Sequence, residues 1–430
     1  MLETWGSRPN HPQWWASGPR RKYAPMRVVL LSPSYPAEMI NFARGLAEVG
    51  ATVYGVGDTP RDQLPHHVKP YLYDYLAVPR ILDEMDVMDR VSDWLRGGSI
   101  DRVLTNWEPL VMLAARFRER WGLPGMSVDT VRAFRDKQVM KERVQAAGLR
   151  VPRSRRVHSA KDVWETAEEI GYPLILKPIA GAGCADTYKV TSPTELDQVL
   201  PLLGGLSQAS CEEYIEGEEL TYDTLCIGGK PVMENVSQYF PKPLEARSVE
   251  WISPIAISVR DLAQPRLAGG LALGRGVLDA LGMGDGFTHM EWYLTPKGEA
   301  VFGEIACRPG GAGLVDQMNY TCDIDLFREW ARVSCWGHFE ADATRRYNVG
   351  IVFKRAQGWG QITRIDGLLD WLRACGPWVV EEKLLRPGTP RRDWMQTQTS
   401  DGHVIVRHPS WDEALRMCQA AATDIRMYAQ

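Results

Sequence analysis

The chain has 430 residues, 44% of them hydrophobic and 24% charged, with a formal net charge of −4. These are the proportions of an ordinary globular protein of about three domains, and the charge gives no case for nucleic acid as the main partner. No apolar run reaches the length of a membrane span, and the N-terminus lacks the apolar core of a signal peptide, so a cytoplasmic protein is expected. The cysteines at 184, 211, 226, 307, 322, 335, 375 and 418 are scattered, with no C-x-x-C pair. That spacing fits a reducing compartment and speaks against zinc or a disulfide framework.

Residues 1–25 are rich in Trp, Arg, Pro and Gly without periodicity and read as an extension. From Met26 a buried strand (MRVVLLSPS) leads to a helix ending at Gly50, then a strand (ATVYGVGD), LYDYLAVP and a helix through Asp86–Arg96. IDRVLTNWE and the helix LVMLAARFRERWG follow, and this alternation predicts a parallel, doubly wound α/β unit over 26–125. Its first turn, Ser32-Pro33-Ser34-Tyr35-Pro36, lacks the G-x-G-x-x-G fingerprint, which disfavours a nicotinamide or flavin site. Asn106 and Glu108 follow a strand's carboxyl end, the ligand side of such sheets, but each also reads as an ordinary helix cap or first-turn acid.

Next come a helix (DKQVMKERVQAAG) and a strand–loop–strand, YPLILKPIAGAGCADTYKV. Lys177 lies in that apolar strand, where a lone ammonium is costly unless an anion pairs with it. A helix is expected over Pro193–Leu203, a hairpin turn at Gly228-Gly229, and helices over Ala263–Leu281 and Cys322–Trp336. Tyr347–Ala429 reads as a smaller strand-and-helix unit, its last helix running from Trp411 to about Met427. Trp251, Trp292 and Trp359 are candidates for an aromatic pocket or for ordinary core.

The densest signal is Phe287–Gly313, FTHMEWYLTPKGEAVFGEIACRPGGAG, read as a hairpin followed by an arginine and a glycine-rich loop. With Lys297-Gly298 as a two-residue turn, His289, Glu291 and Tyr293 share a face with Phe302 and Glu304, and Glu291 lies opposite Glu304. A three-residue turn would carry Glu304 to the apolar face, so the two-residue register is expected. Two opposed carboxylates invite a hard divalent cation, although the hairpin alone equally allows two solvated acids.

DK-x-x-x-K, LILKP with its glycine loop, EEYIEGEE, H-x-E and EIACRPGG occur in one order. That order resembles the ATP-grasp superfamily, specifically its carboxylate–amine ligases of the amino-acid (dipeptide) ligase type. The resemblance implies a Rossmann-like N-terminal domain (26–125), a two-lobed ATP-grasp body (126–345) and a small C-terminal α+β domain (346–430). It implies that Lys137 and Lys177 neutralise ATP phosphates, with Gly181, Gly183 and Cys184 in a closing loop. Glu212, Glu213, Tyr214 and Ile215 would meet adenine, and Glu219 the ribose. Glu291 and Glu304 would bind Mg²⁺ (or Mn²⁺), and Arg308 would steady an acyl phosphate. His289, on the acid face, is a candidate for orienting a metal ligand or moving a proton, or for a structural role. Ala306 stands where many members have a metal-completing Asn, which leaves one or two ions open, and Cys307 reads as packing.

The chemistry implied is transfer of the ATP γ-phosphoryl group to a small carboxylate, followed by attack of an amine. Such transfer depends on positioning and charge neutralisation, and a closing loop protects the intermediate from water. Expected partners are therefore a small carboxylate and an amine, with a homodimer compatible. The alternatives are an ATP-grasp carboxylase, a ligase using another nucleophile, and a nucleotide-binding regulatory protein without turnover.

Overall fold

The computed structural model describes residues 24–96, 98–179, 187–203, 208–397 and 399–430. Apolar runs separated by amphipathic helices build the first unit: β1 (Arg27–Leu31), α1 (Met39–Glu48), β2 (Thr52–Gly57), β3 (Asp74–Ala77), α2 (Glu84–Trp94), β4 (Arg102–Leu104) and α3 (Val111–Trp121). The strands pair in parallel in the order β3-β2-β1-β4, the doubly wound arrangement the alternation predicted. Phe42 of α1 packs edge-on against Phe327 and Trp330, fastening this unit to the middle of the chain.

Two short helices follow, α4 (Val128–Ala133), not anticipated from the sequence, and α5 (Lys137–Ala146). A four-stranded antiparallel lobe comes next: β5 (Ser154–Val157), α6 (Ala160–Ile170), β6 (Leu174–Pro178), β7 (Tyr188–Val190), α7 (Pro193–Val199) and β8 (Ala209–Glu213). Its strand order is β5-β8-β6-β7.

The second lobe is a nine-stranded sheet. It takes β9 (Glu218–Ile227), β10 (Lys230–Asn235), β11 (Ser237–Phe240), α8 (Pro243–Ala246), β12 (Ile255–Ser258), α9 (Ala268–Leu281), β13 (Gly286–Leu294), β14 (Ala300–Ala306), α10 (Leu314–Cys322), α11 (Leu326–Trp336) and β15 (Asn348–Phe353). The chain ends with β16 (Gln357–Gly358), β17 (Ile362–Asp366), α12 (Leu368–Cys375), β18 (Val379–Leu384), β19 (Gly402–His408), α13 (Trp411–Asp424) and β20 (Arg426–Ala429). The large sheet runs β14-β13-β9-β11-β12-β15-β19-β18, with β10 paired to β9 through the Gly228-Gly229 turn. Strands on both sides of residue 346 therefore share one sheet.

Three helix boundaries differ from expectation. The helix expected over Cys322–Trp336 begins at Leu326: Cys322 ends the preceding α10, Asp323 turns left-handed at φ 57°, and Asp325 caps α11 by accepting from the Phe327 and Arg328 amides. α9 begins at Ala268 and not Ala263, because Pro265–Leu267 forms a separate 3₁₀ turn. The last helix stops at Asp424, and residues 425–430 alternate buried and more exposed, a two-residue period that pairs β20 with β16 and β17. No helix among the described residues is long and apolar enough to cross a membrane.

Candidate active site

The hairpin at the edge of the large sheet combines both registers considered from sequence. At the turn, the Gly298 amide donates to the Thr295 carbonyl (2.8 Å) and the Thr295 amide to the Glu299 carbonyl (2.9 Å), leaving Pro296-Lys297-Gly298 as a three-residue loop. Leu294 then pairs with Ala300 and Trp292 with Phe302, so Phe302 is buried on the apolar face and not on the acid face as expected. A bulge at Gly303 absorbs one residue and restores Glu291 opposite Glu304. A Cβ on Gly303 would lie 2.7 Å from the Glu291 carbonyl oxygen, closer than real contacts allow. Glycine is what lets the two strands meet there.

Asp136 caps α5, accepting from the Gln138 and Val139 amides and pairing with Arg156 at 2.6 Å. The cap sets Lys137 and Lys141, one helical turn apart, on a common face. Lys137 pairs with Glu304 at 2.9 Å, and Lys141 pairs with Glu212. Lys177, from β6, lies 3.0 Å from Glu212 and 4.0 Å from Glu304. Its partner is thus supplied within the protein, by an acid the sequence reading gave to adenine. Glu212 is 4% exposed and also accepts from the Ser210 hydroxyl. Burial would raise its pKa, but Lys141 and Lys177 outweigh that and hold it ionised. Burial, with Lys177 adding repulsion, brings Lys141 down to about 8 against the pull of Glu212. Lys137 and Lys177, the two of these ammonium groups that reach the cavity, are thus held by Glu304 and Glu212, with Lys141 behind them. Lys141 was missed as a site residue although it lies in the quoted DK-x-x-x-K run.

Lys137, Lys177, Glu212 and Glu304 line a cavity of about 720 Å³ between the lobes, together with Glu213, Tyr214, Ile215, Glu219 and Glu291, and Lys141 is buried behind it. That volume is in the range of small-molecule sites. The Glu213 carboxylate is engaged by Arg150 at 3.1 Å and by the Arg153 amide at 3.0 Å. Lys189 stacks over the Tyr214 ring at 3.9 Å. On β9, Glu219 is opposite Tyr293, and burial plus the neighbouring Glu291 charge raises its pKa. Gly181, Gly183 and Cys184 lie outside the described residues.

His289 sits between Asp223, hydrogen-bonded to its Nδ1, and Glu291, 3.7 Å from its Nε2. Burial would lower its pKa, but the two carboxylates lift it to about 9, so the ring is an imidazolium at neutral pH. Asp223, invisible to the sequence reading, is fixed by the Thr221 hydroxyl (2.7 Å) and the Asn235 amide (3.3 Å).

Arg308 faces a second cavity of about 190 Å³ that shares Lys137, Glu291 and Glu304 with the first. Its Nε donates to Glu108 at 2.6 Å, and Arg135 holds the other oxygen of the same carboxylate. Burial would raise Glu108, but Arg308 and Arg135 keep it below the ordinary range. Glu108 is therefore more than a first-turn acid: it carries the leading unit into the site. Cys307 has its thiol raised to about 12 by burial and by Glu108, which suits packing and not nucleophilic attack. Trp292 is fully buried, whereas Trp251 and Trp359 are 75% and 78% exposed. The tryptophan lining the second cavity is Trp394.

The donor set suits Mg²⁺ in kind. Glu291 and Glu304 are hard oxygen donors facing each other on the wall between two cavities. No cluster of three or more His, Cys, Asp or Glu side chains among the described residues is arranged to hold a metal by itself. Two carboxylates completed by substrate phosphates is how Mg²⁺ is commonly bound.

Residues 136–213 match the family model described as carbamoyl-phosphate synthase L chain, ATP binding domain. The chain is 27% identical over 271 residues to an L-arginine-specific L-amino acid ligase of Bacillus subtilis, a match covering 61% of this chain and 65% of that protein. In structure it is similar to an L-amino acid ligase from Bacillus licheniformis (TM-score 0.76, 20% identity, covering 94% of this chain and 99% of the other). It is also similar to N5-carboxyaminoimidazole ribonucleotide synthetase from Thermotoga maritima (TM-score 0.72, 17% identity, 94% and 100% covered). The matched segment spans α5 to β8, and the two lobes enclosing the lysine-lined cavity have the fold of these ligase and synthetase structures.

Proposed function

We propose that the protein is an ATP-dependent ligase that activates a small carboxylate as an acyl phosphate and joins it to an amine, releasing ADP and phosphate. The observation that carries this reading is the shared wall: a nucleotide-sized cavity and a smaller one meet at Lys137, Glu291 and Glu304. A γ-phosphate at that wall would be within reach of an acceptor in the second cavity. The similarity to an amino acid ligase supports the same reaction class.

Lys137 and Lys177 bind the phosphates, and Lys141 holds Glu212 behind them. The linker from Glu212 to Ile215 and the Glu219 carboxylate form the adenosine end of the first cavity. Glu291 and Glu304 would hold Mg²⁺, which when bound neutralises charge on the transferring phosphoryl group. The substrate carboxylate oxygen forms a bond to the γ-phosphorus as the bond to the β-phosphate oxygen breaks, yielding ADP. The amine nitrogen then bonds to the acyl carbon, phosphate leaves, and the nitrogen loses a proton. Arg308, oriented by Glu108, stabilises the charge of the acyl phosphate. His289 keeps the Glu291 carboxylate aimed at the wall. The buried thiols suit action in the cytoplasm.

The test is ADP and phosphate release from Mg·ATP, screened pairwise against carboxylates and amines. Hydroxylamine in place of the amine should trap a hydroxamate with any carboxylate that supports ADP release. ADP release without hydroxamate would remove the acyl phosphate from the reading.

A further inference from the structure

We propose that the second cavity takes a substrate bearing an anionic group remote from its reacting centre, a carboxylate or a phosphate, held by Arg247 and Arg355. The proposal rests on the ligase reading and names a substrate class within it. Sheet order gives the cavity its direction. Glu291 and Glu304 stand on β13 and β14, while Arg355 follows the end of β15, four strand steps from β13. On a flat sheet that is roughly 19 Å, and less on a coiled one. The two arginines therefore lie toward the end away from the phosphoryl-transfer wall.

Charge pairing separates the two ends. Near the wall every cation has an acid: Glu108 holds Arg135 and Arg308, and Glu304 holds Lys137. At the far end, no ion pair engages Arg247 or Arg355 among the described residues. Arg247 donates to the Met395 carbonyl at 2.7 Å. Arg355 is 9% exposed, its guanidinium carbon 4.5 Å from the centre of the Trp394 ring. Its Nη1 donates to the carbonyls of Ala246 (2.8 Å), Val249 (3.0 Å) and Glu250 (3.4 Å), and its Nε to the Ser400 hydroxyl at 3.4 Å. Its Nη2 has no protein partner among the described residues.

The acids close to Arg355 are already committed. Glu250 pairs with Arg391 at 2.9 Å, and Asp401 accepts from the Ala356 and Arg392 amides at 2.8 and 2.7 Å. Burial and the neighbouring Arg247 charge bring Arg355 down to about 10, so the two guanidiniums are near enough to repel. Two neighbouring guanidiniums that line the pocket without an ion-pair partner of their own among the described residues, their nearest acids engaged elsewhere, are stabilised by an anion that arrives with the ligand.

The experiment measures ADP release from Mg·ATP with isosteric pairs: glutamate and glutamine, aspartate and asparagine, O-phosphoserine and serine. Aliphatic amino acids are included, and each compound is offered alone and in combination. At least one acid should exceed its neutral isostere by about tenfold or more in kcat/KM, as expected when a built polar site meets an analogue lacking its partner. Preference for the phosphorylated or the carboxylate member identifies the anion. The preference should vanish in Arg247→Gln, a half-exposed position whose loss leaves the core intact, and persist in part in Arg355→Lys. Equal or better turnover with the neutral members, or an undiminished acid preference in Arg247→Gln, would overturn the proposal while leaving the ligase reading standing. No ADP release with any compound would instead overturn that reading, and the proposal with it.

Discussion

Lys141→Met probes the buried charge arrangement behind the nucleotide cavity. Glu212 is shared by Lys141 and Lys177, with Lys177 at 3.0 Å. Removing one partner of a buried ion pair costs about 3–5 kcal/mol, because the other charge is left desolvated. Here Lys177 stays behind, and a pair at 3.0 Å is worth roughly 5–6 kcal/mol before desolvation at an effective dielectric near 20. The loss should therefore fall at the lower end, about 3 kcal/mol. Glu212→Gln is destabilising for the opposite reason, since it leaves two ammonium groups facing each other. In Lys141→Met/Glu212→Gln the Lys141–Glu212 pair is removed as a whole and Lys177 no longer faces a second buried ammonium, so the double variant should be more stable than the sum of the singles by about 1.5 kcal/mol. Urea unfolding followed by circular dichroism and tryptophan fluorescence, read on the transition both probes share, gives the cycle. Additivity to within about 0.5 kcal/mol would refute the idea that one carboxylate couples the two lysines.

Gly303→Ala should push β14 off the Glu291 carbonyl, cost about 1–3 kcal/mol as an overpacked site, and erase most of the difference between the thermal shifts with Mg·ATP and with ATP plus chelator. Unchanged shifts would separate the bulge from the acid pair. Arg308→Ala should leave Mg·ATP affinity within a few-fold while lowering turnover about 10²-fold, since its charge acts in the second cavity. Normal turnover would take it out of the mechanism. Lys354, buried and donating to the Ala421 and Ala422 carbonyls at the end of α13, is brought down to about 8 by burial. The unfolded chain then binds the extra proton between about pH 8 and pH 10.4, so this residue's contribution to stability should rise with pH across that window. Melting curves of wild type and Lys354→Met that stay parallel from pH 7 to pH 10 would contradict this.

Much of the protein could be read along the chain. The alternation of apolar runs and amphipathic helices yields the parallel leading sheet because its signals are local, as are the Gly228-Gly229 hairpin and the helix cap at Asp136. Glu291 opposite Glu304 was also legible, since a two-residue period fixes which side chains share a face. The route to that pairing was not. A turn of three residues and a bulge at Gly303 cancel in register, and only the fit of the Gly303 backbone against Glu291 distinguishes them from a two-residue turn. The start of α11 at Leu326 and not at Cys322 follows from the left-handed Asp323 and the capping Asp325, a residue type that favours turns and helix ends.

Partnerships across long separations belong to the tertiary structure alone. Sequence chemistry says that Lys177 needs an anion, and packing decides that Glu212 supplies it within the protein while Lys141 shares the load. Asp223 beside His289, and Glu108 bridging Arg135 to Arg308 from the leading unit, join residues 66, 27 and 200 positions apart. No periodicity carries such information. A charge buried in a strand states its demand locally, but which group meets it depends on where the strands and helices come together.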